Sequence, residues 1–179
     1  MVMSGLVEQA RKVAESGLCG LVRRWAHVQG VATAATQIRG HFDEVSGDCL
    51  VAAAWTHDIG YAPSVHVTGF HPLDGARFLR DRGFPALMVS LVAHHSGAWV
   101  EAQVRGVEGL SDFAEPDREL LDALTFCDLT TGPDGTPVSA AARLDEVLRR
   151  YRPDDPVHQA IDLSRDDLLA AVGRVQSWQ

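Results

Sequence analysis

Six of the eight histidines fall between His41 and His95, and several stand beside acidic residues where helices are expected to end. His27 lies within a helical stretch, His57 and Asp58 are consecutive, His71 follows a loop, His94 and His95 are consecutive, and Asp128 closes a later helix. A lone imidazole is usually a satisfied, half-buried side chain. The set is what points to chemistry. Neutral imidazole and carboxylate suit divalent Mn, Fe, Co or Zn, and a group without thiolates argues against a structural zinc site. Asp58 has two oxygens and can bridge two cations, whereas His57 beside it can serve only one. Two metals about 3.5–4 Å apart can hold a bridging hydroxide and clamp the attacking and leaving oxygens of an in-line displacement at phosphorus.

The elements that must position these residues read as helices throughout. Apolar residues recur at three and four, and no long alternating stretch marks a strand, so the expectation is an all-α, single-domain bundle. Ser4 is the expected cap of a first helix; others are expected over 21–38, 46–58, 71–82, 85–96, 99–105, 117–129 and 139–151, with a helical tail to Gln179. The segment 61–70 reads as a loop, and 131–137 as a turn built on Pro133-Asp134-Gly135. Trp25, Trp55 and Trp99 are expected to fill the core, and Trp178 to pack against it or fray.

Composition bounds the partners. The 179 residues carry 24 acidic against 16 basic side chains, a net charge of −8, which excludes a broad basic face for a nucleic-acid polymer. No apolar run approaches the roughly 20 residues of a membrane helix, and no secretion signal is visible, so a cytoplasmic protein is expected. Cys19, Cys49 and Cys127 read as reduced core thiols.

With Arg-Arg-Trp-Ala-His from Arg23, Thr-His-Asp-Ile-Gly from Thr56 and Leu-Leu-Asp-Ala-Leu-Thr-Phe-Cys-Asp from Leu120, the chain resembles the HD-domain superfamily of metal-dependent phosphohydrolases. The family pattern is H, then HD, then D. Phe-His-Pro-Leu-Asp-Gly from Phe70 and Ala-His-His-Ser-Gly from Ala93 are similar to the extra-histidine segments of its dinuclear members. The resemblance covers about 23–128, with 139–179 as a C-terminal helical extension. It implies the family's helical bundle, and two divalent transition-metal ions, Fe or Mn before Co, Ni or Zn. One would be held by His27, His57, Asp58 and Asp128, the other by bridging Asp58 with His71, His94 and perhaps His95. Asp58 and His95 are the residues expected in catalysis. Adjacent helical residues point about 100° apart, so His95 is left either as a ligand or as a residue that binds substrate or orients water.

Many family members continue the doublet as His-Asp-x-x-Lys, with the lysine on the phosphate; here that position is Tyr61, and the only lysine is Lys12. Phosphate charge therefore falls to the metals and to arginine, with Arg24 and Arg77 as candidates. His66, in the loop after the doublet, could line the entrance. Ser96-Gly97-Ala98-Trp99 replaces the Gly-Tyr-Pro of the cyclic-dinucleotide phosphodiesterases, which disfavours that substrate. The His27 region is similar to the symmetrical diadenosine tetraphosphate hydrolases of the superfamily, but only fourteen positions separate His57 from His71, and that substrate does not carry over. The expectation is hydrolysis of a small phosphoester, phosphoanhydride or nucleotide. The alternatives are a mixed-valent di-iron oxygenase of the same fold, or a metal-binding regulatory module without turnover. The C-terminal helices either close the pocket or form a homodimer interface. Two divalent cations would cancel half of the −8 charge, so an acidic exterior is compatible with a locally positive pocket.

Overall fold

A computed structural model describes residues 5–178, and among them the chain is helical with no strand; Ser4, the expected first cap, lies outside them. The helices are α1 (Gly5–Leu18), α2 (Val22–Ile38), α3 (Glu44–Thr56), α4 (His71–Asp81), α5 (Ala86–His94), α6 (Ala98–Arg105), α7 (Arg118–Leu129), α8 (Ala140–Arg150) and α9 (Pro156–Gln176). Among the described residues no helix is long and apolar enough to cross a membrane.

The bundle is organised around α3. Asp43 caps it, accepting from the Ser46 amide at 3.0 Å. From Gly47 to Ala54 every side chain is buried, so the helix lacks a polar face and must be enclosed on all sides. Its run of alanines lets α1, α2, α5 and α7 approach closely. This central position matters because α3 ends at Thr56 and hands on directly to His57 and Asp58.

Helices α8 and α9 pack on α7 through a smaller apolar cluster of Leu129, Ala140, Leu144, Leu168 and Val172. Arg174 of α9 forks onto both oxygens of Asp122 in α7, at 2.6 and 2.8 Å. Trp178 lies flat on His41, with centroids 3.9 Å apart, so the C-terminal end is tied back to the start of the motif region.

Three expectations need correction. Trp99 is 47% exposed, because α6 buries only Ala98 and Ala102 and Trp99 lies off that stripe. Cys19 is exposed in the turn after α1, where Leu18 takes the inward position, whereas Cys49 and Cys127 are core thiols. Helix α5 stops at His94 instead of running to Ser96: His95 has ψ 149° and Ser96 is left-handed, with φ 47°.

Candidate metal centre

Most of the functional side chains are delivered by a helix end or by the break just beyond it, and His27 by the body of α2. The doublet sits where α3 gives way to the short 3-10 turn Ile59–Tyr61. Gly60 in that turn lies against the first residue of α4: a Cβ on it would sit 2.0 Å from the His71 carbonyl oxygen. Only glycine allows this approach, and it brings His71 up to Asp58. His27 comes from the middle of α2 and Asp128 from the last turn of α7. The turn after α7 docks on α2 through Gly135 and Gly30, where a Cβ on Gly30 would lie 2.5 Å from the Gly135 carbonyl oxygen.

Two groups of ligand-type atoms result, His27–His57–Asp128 and Asp58–His71–His95, with the atoms of each group within 4.8 Å of one another. Asp58 faces both. Its Oδ2 is 3.5 Å from His57 Nε2 and its Oδ1 is 3.4 Å from His71 Nε2. Asp128 Oδ1 lies 2.9 Å from His27 Nε2 and 3.8 Å from His57 Nε2. His71 Nε2 and His95 Nε2 are 3.2 Å apart.

The outer nitrogens explain the inner ones. His27 Nδ1 meets the Gly132 carbonyl at 3.1 Å, His57 Nδ1 the Ala54 carbonyl at 2.9 Å, and His95 Nδ1 the Val92 carbonyl at 2.7 Å. A carbonyl can only accept, so each Nδ1 carries the hydrogen; the rings of His57 and His95 can then turn an Nε2 lone pair inward, whereas His27 Nε2 faces the Asp128 carboxylate and donates to it. His57 Nε2 is wholly buried and has no hydrogen-bond partner. An orphaned acceptor facing two carboxylates is suited to a cation, and this donor set of imidazole nitrogens and carboxylate oxygens fits divalent transition metals.

Electrostatics place His57, His71 and the two carboxylates in the protonation states that ligation requires, while His27 is held by Asp128 and would have to give up a proton to a cation. Burial pushes the His57 and His71 imidazoles down toward the neutral form, well down for His71. Burial alone would raise Asp58, but the Arg24 guanidinium, 2.6 Å from Oδ2, and the surrounding histidines hold it well below the usual carboxylate range. Asp128 is likewise opposed by burial and is held low chiefly by the hydrogen bond with His27. That bond, outweighing burial, raises His27.

Of the consecutive pair His94 and His95, the structure brings His95 to the other ligand-type atoms and turns His94 away. His94 Nε2 lies 3.0 Å from the Phe113 carbonyl and the side chain faces a different cavity, so its assignment to the second cation gives way. The break at Ser96 is the cause, since it ends the helix and turns consecutive side chains to separate interiors. The Ser96 hydroxyl donates to Asp128 Oδ2, which helps hold a left-handed conformation that costs a non-glycine residue about 1–3 kcal/mol. Sequence reasoning missed Ser96. Its adjacency to His95 was the available signal.

Arg24 and Tyr61 reach the site and Arg77 and His66 do not. The Arg24 guanidinium lies 3.9 Å over the Tyr61 ring, which stacks on His71 at 4.2 Å. Tyr61 thus positions an arginine near the place where many family members put a lysine. Arg77 is directed toward Gly109 and lines a cavity with Trp99 and Asp112, because it projects from the far side of α4. His66 is exposed in its loop and lines no part of the centre. The cavity over the ligand atoms, about 110 Å³, is closed by Arg143, Leu144, Val147 and Arg150 of α8, Tyr151, and Val157 and Ile161 of α9. The C-terminal helices are therefore a pocket wall.

A helical bundle that gathers His, His-Asp and Asp from three helices around a buried centre defines a class of metal-binding α proteins. The HD domain family model matches residues 24–156, about three quarters of the chain, and the protein belongs to that family, which lies in the superfamily of metal-dependent phosphohydrolases. No curated protein and no solved structure matches the chain.

Proposed function

We propose that this protein is a phosphohydrolase that uses two divalent transition-metal ions to cleave a phosphoester or phosphoanhydride of a small molecule or nucleotide. His27, His57, Asp58 and Asp128 would hold one ion; Asp58, His71 and His95 would hold the other. When bound, such a pair supplies Lewis acidity toward the phosphoryl oxygens and lowers the pKa of water at neutral pH. The observation that carries the reading is His57 Nε2, buried and unpartnered between two ionised carboxylates. Arg24 meets Asp58 and His27 meets Asp128, but neither supplies a partner to the buried His57 Nε2, a cost that a cation would remove.

The chain's own residues do the remaining work. The Gly132, Ala54 and Val92 carbonyls fix the tautomers of three imidazoles. Ser96 and His27 orient Asp128, and Arg24 both restrains Asp58 and presents positive charge to the cavity. The α8–α9 wall shields the reacting groups from bulk water, which strengthens each of these interactions.

Metal analysis of the purified protein, before and after reconstitution with Mn, Fe, Co, Ni or Zn, combined with phosphate release from nucleotides, dinucleoside polyphosphates and sugar phosphates, tests the reading. Bound metal and metal-dependent release, both lost in Asp58→Ala, are expected. A protein that takes up no metal, or an Asp58→Ala variant with wild-type turnover, overturns it. Oxygen uptake without phosphate release would replace it with the oxygenase reading.

A further inference from the structure

Beside the candidate metal centre lies a second cavity of about 220 Å³, lined by Arg23, Arg24, His27, Pro133, Arg143 and Arg150. No carboxylate lines it, in a protein whose net charge is −8. It shares Arg24, His27, Arg143 and Arg150 with the metal cavity, so the two are adjoining compartments. Four of the sixteen cationic side chains of the whole chain converge here.

Their counter-charges are too few. Arg24 is engaged by Asp58. Arg143 and Arg150 share a single carboxylate, Glu146, one turn from each along α8. Arg23 is exposed and forms no ion pair among the described residues; its charge is felt by Asp134, whose hydrogen bonds go to Thr136. Four guanidiniums therefore face two carboxylates. Arg143 is the least exposed of them, its side chain at 10%, which makes its half-share of a carboxylate the more costly. Positions 143 and 150 are two turns apart, on one face of α8, so both forks point toward the same compartment. Guanidinium groups match phosphoryl oxygens by paired, charge-assisted hydrogen bonds.

Size adds a separate argument. The metal cavity, about 110 Å³, is well below the roughly 300–1,000 Å³ typical of small-molecule sites, whereas the two compartments together reach the low end of that range. A ligand with its reacting group over the metals must extend into the arginine compartment.

We infer that Arg23, Arg24, Arg143 and Arg150 form a second anion subsite, which takes a phosphoryl group other than the reacting one, so that the substrate class is a compound carrying at least two phosphoryl groups. This rests on the phosphohydrolase reading for the word substrate, but the subsite can be tested without turnover. The probe is inorganic tripolyphosphate, titrated calorimetrically into metal-free protein, with orthophosphate for comparison. Wild type is expected to bind tripolyphosphate at least tenfold more tightly than orthophosphate. Arg143→Gln/Arg150→Gln should weaken tripolyphosphate binding at least tenfold, and Arg23→Gln about threefold. Arg23 and Arg150 are exposed, so their single variants report on binding without threatening the fold, and Arg143→Lys should recover part of the affinity. In the metal-loaded protein, the preference for a polyphosphate over a monoester, as a ratio of kcat/KM, should fall at least tenfold in the double variant. Wild-type affinity for tripolyphosphate in both Arg150→Gln and the double variant overturns the subsite, even if the protein hydrolyses phosphoesters. Arginine-dependent tripolyphosphate binding in a protein that hydrolyses nothing leaves the subsite standing and removes the phosphohydrolase reading.

Discussion

Gly60→Ala is a one-methyl change whose effect follows from a single contact. The added carbon would lie 2.0 Å from the His71 carbonyl oxygen and 2.7 Å from both the carbonyl carbon and Cα of that residue. Contacts below 3.0 Å are essentially never seen, so the doublet turn and the start of α4 must part by about 1 Å. Overpacking costs about 1–3 kcal/mol, and the upper end applies because both partners are backbone. The alanine recovers about 0.4–1 kcal/mol by restricting the unfolded chain. The net loss is about 2 kcal/mol, which for a chain of this size lowers Tm by roughly 4–8 °C. The local effect is larger than the global one. His71 Nε2 stands 3.4 Å from Asp58 Oδ1 and 3.2 Å from His95 Nε2, and a 1 Å displacement takes it out of a shared coordination sphere while His27, His57 and Asp128 stay in place. Misplacements of this size can cost roughly a hundredfold in rate. Differential scanning calorimetry together with metal analysis should show the lowered Tm and the loss of one ion per chain with the other retained. A variant that melts within about 1 °C of wild type and carries its full metal complement would refute the reasoning.

Three further outcomes are expected. His94→Ala loses the bond to the Phe113 carbonyl, about 1 kcal/mol, and keeps both metals, whereas His95→Ala loses the ion shared with His71; the reverse pattern in metal analysis would return His94 to the centre. Ser96→Gly relieves the left-handed strain that Ser96→Ala retains, while both lose the hydroxyl to Asp128, so the glycine variant should be the more stable by about 1 kcal/mol or more in denaturant melts; equal stabilities would show that the φ of 47° stores nothing. Iodoacetamide should add one group to the native protein, at exposed Cys19, and three under denaturation, because burial raises the Cys49 and Cys127 thiols; mass spectrometry finding two or three native adducts would contradict the burial of those residues.

The all-helical architecture could be read directly because apolar spacing and stop signals are local properties. The turn at 131–137 was legible from Pro133-Asp134-Gly135 for the same reason, and the bridge between Thr131 and Pro137 closes it. Expected and observed helix ends agree closely except at the end of α5. The expected 85–96 helix breaks at His94, since helical propensity says nothing of a serine held left-handed by a carboxylate 32 residues away. His27, His57, Asp58, His71 and Asp128 were expected together because their order along the chain follows the family pattern, and the structure brings them together. The choice between His94 and His95 was not legible in that order, because it depends on backbone geometry at one peptide. Arg24 was found through its proximity to His27, whereas Arg77, equally plausible by distance from His71, projects away. Arg143 and Arg150 had no local signal: the pair with Glu146 reads as an ordinary solvated i, i+4 pattern, and only the packing of α8 on α7 brings it to the site.

Local rules and global fold agree over most of this molecule, and three of the places where they conflict lie together. Among the described residues, Ser96 is the single non-glycine residue with positive φ. Gly60 makes the closest approach of any of the described glycines to neighbouring backbone, and His57 Nε2 is, with Arg165 Nη1 of α9, one of two buried side-chain polar atoms among the described residues left without a partner. All three meet at Asp58, Asp128, His71 and His95. Each costs stability that a hydrophobic repacking of the same volume would avoid, since a buried charged cluster is weak as a stabilising device. Strain, a forced close approach and an unmet polar atom gathered in one cluster are what a functional constraint produces and what packing alone does not. This inference uses the geometry of the centre and makes no use of the order of its residues along the chain. It therefore supports the metal-centre reading independently of the family match, and it would fail if a high-affinity variant lacking Asp58 and His57 but retaining the metal could be made.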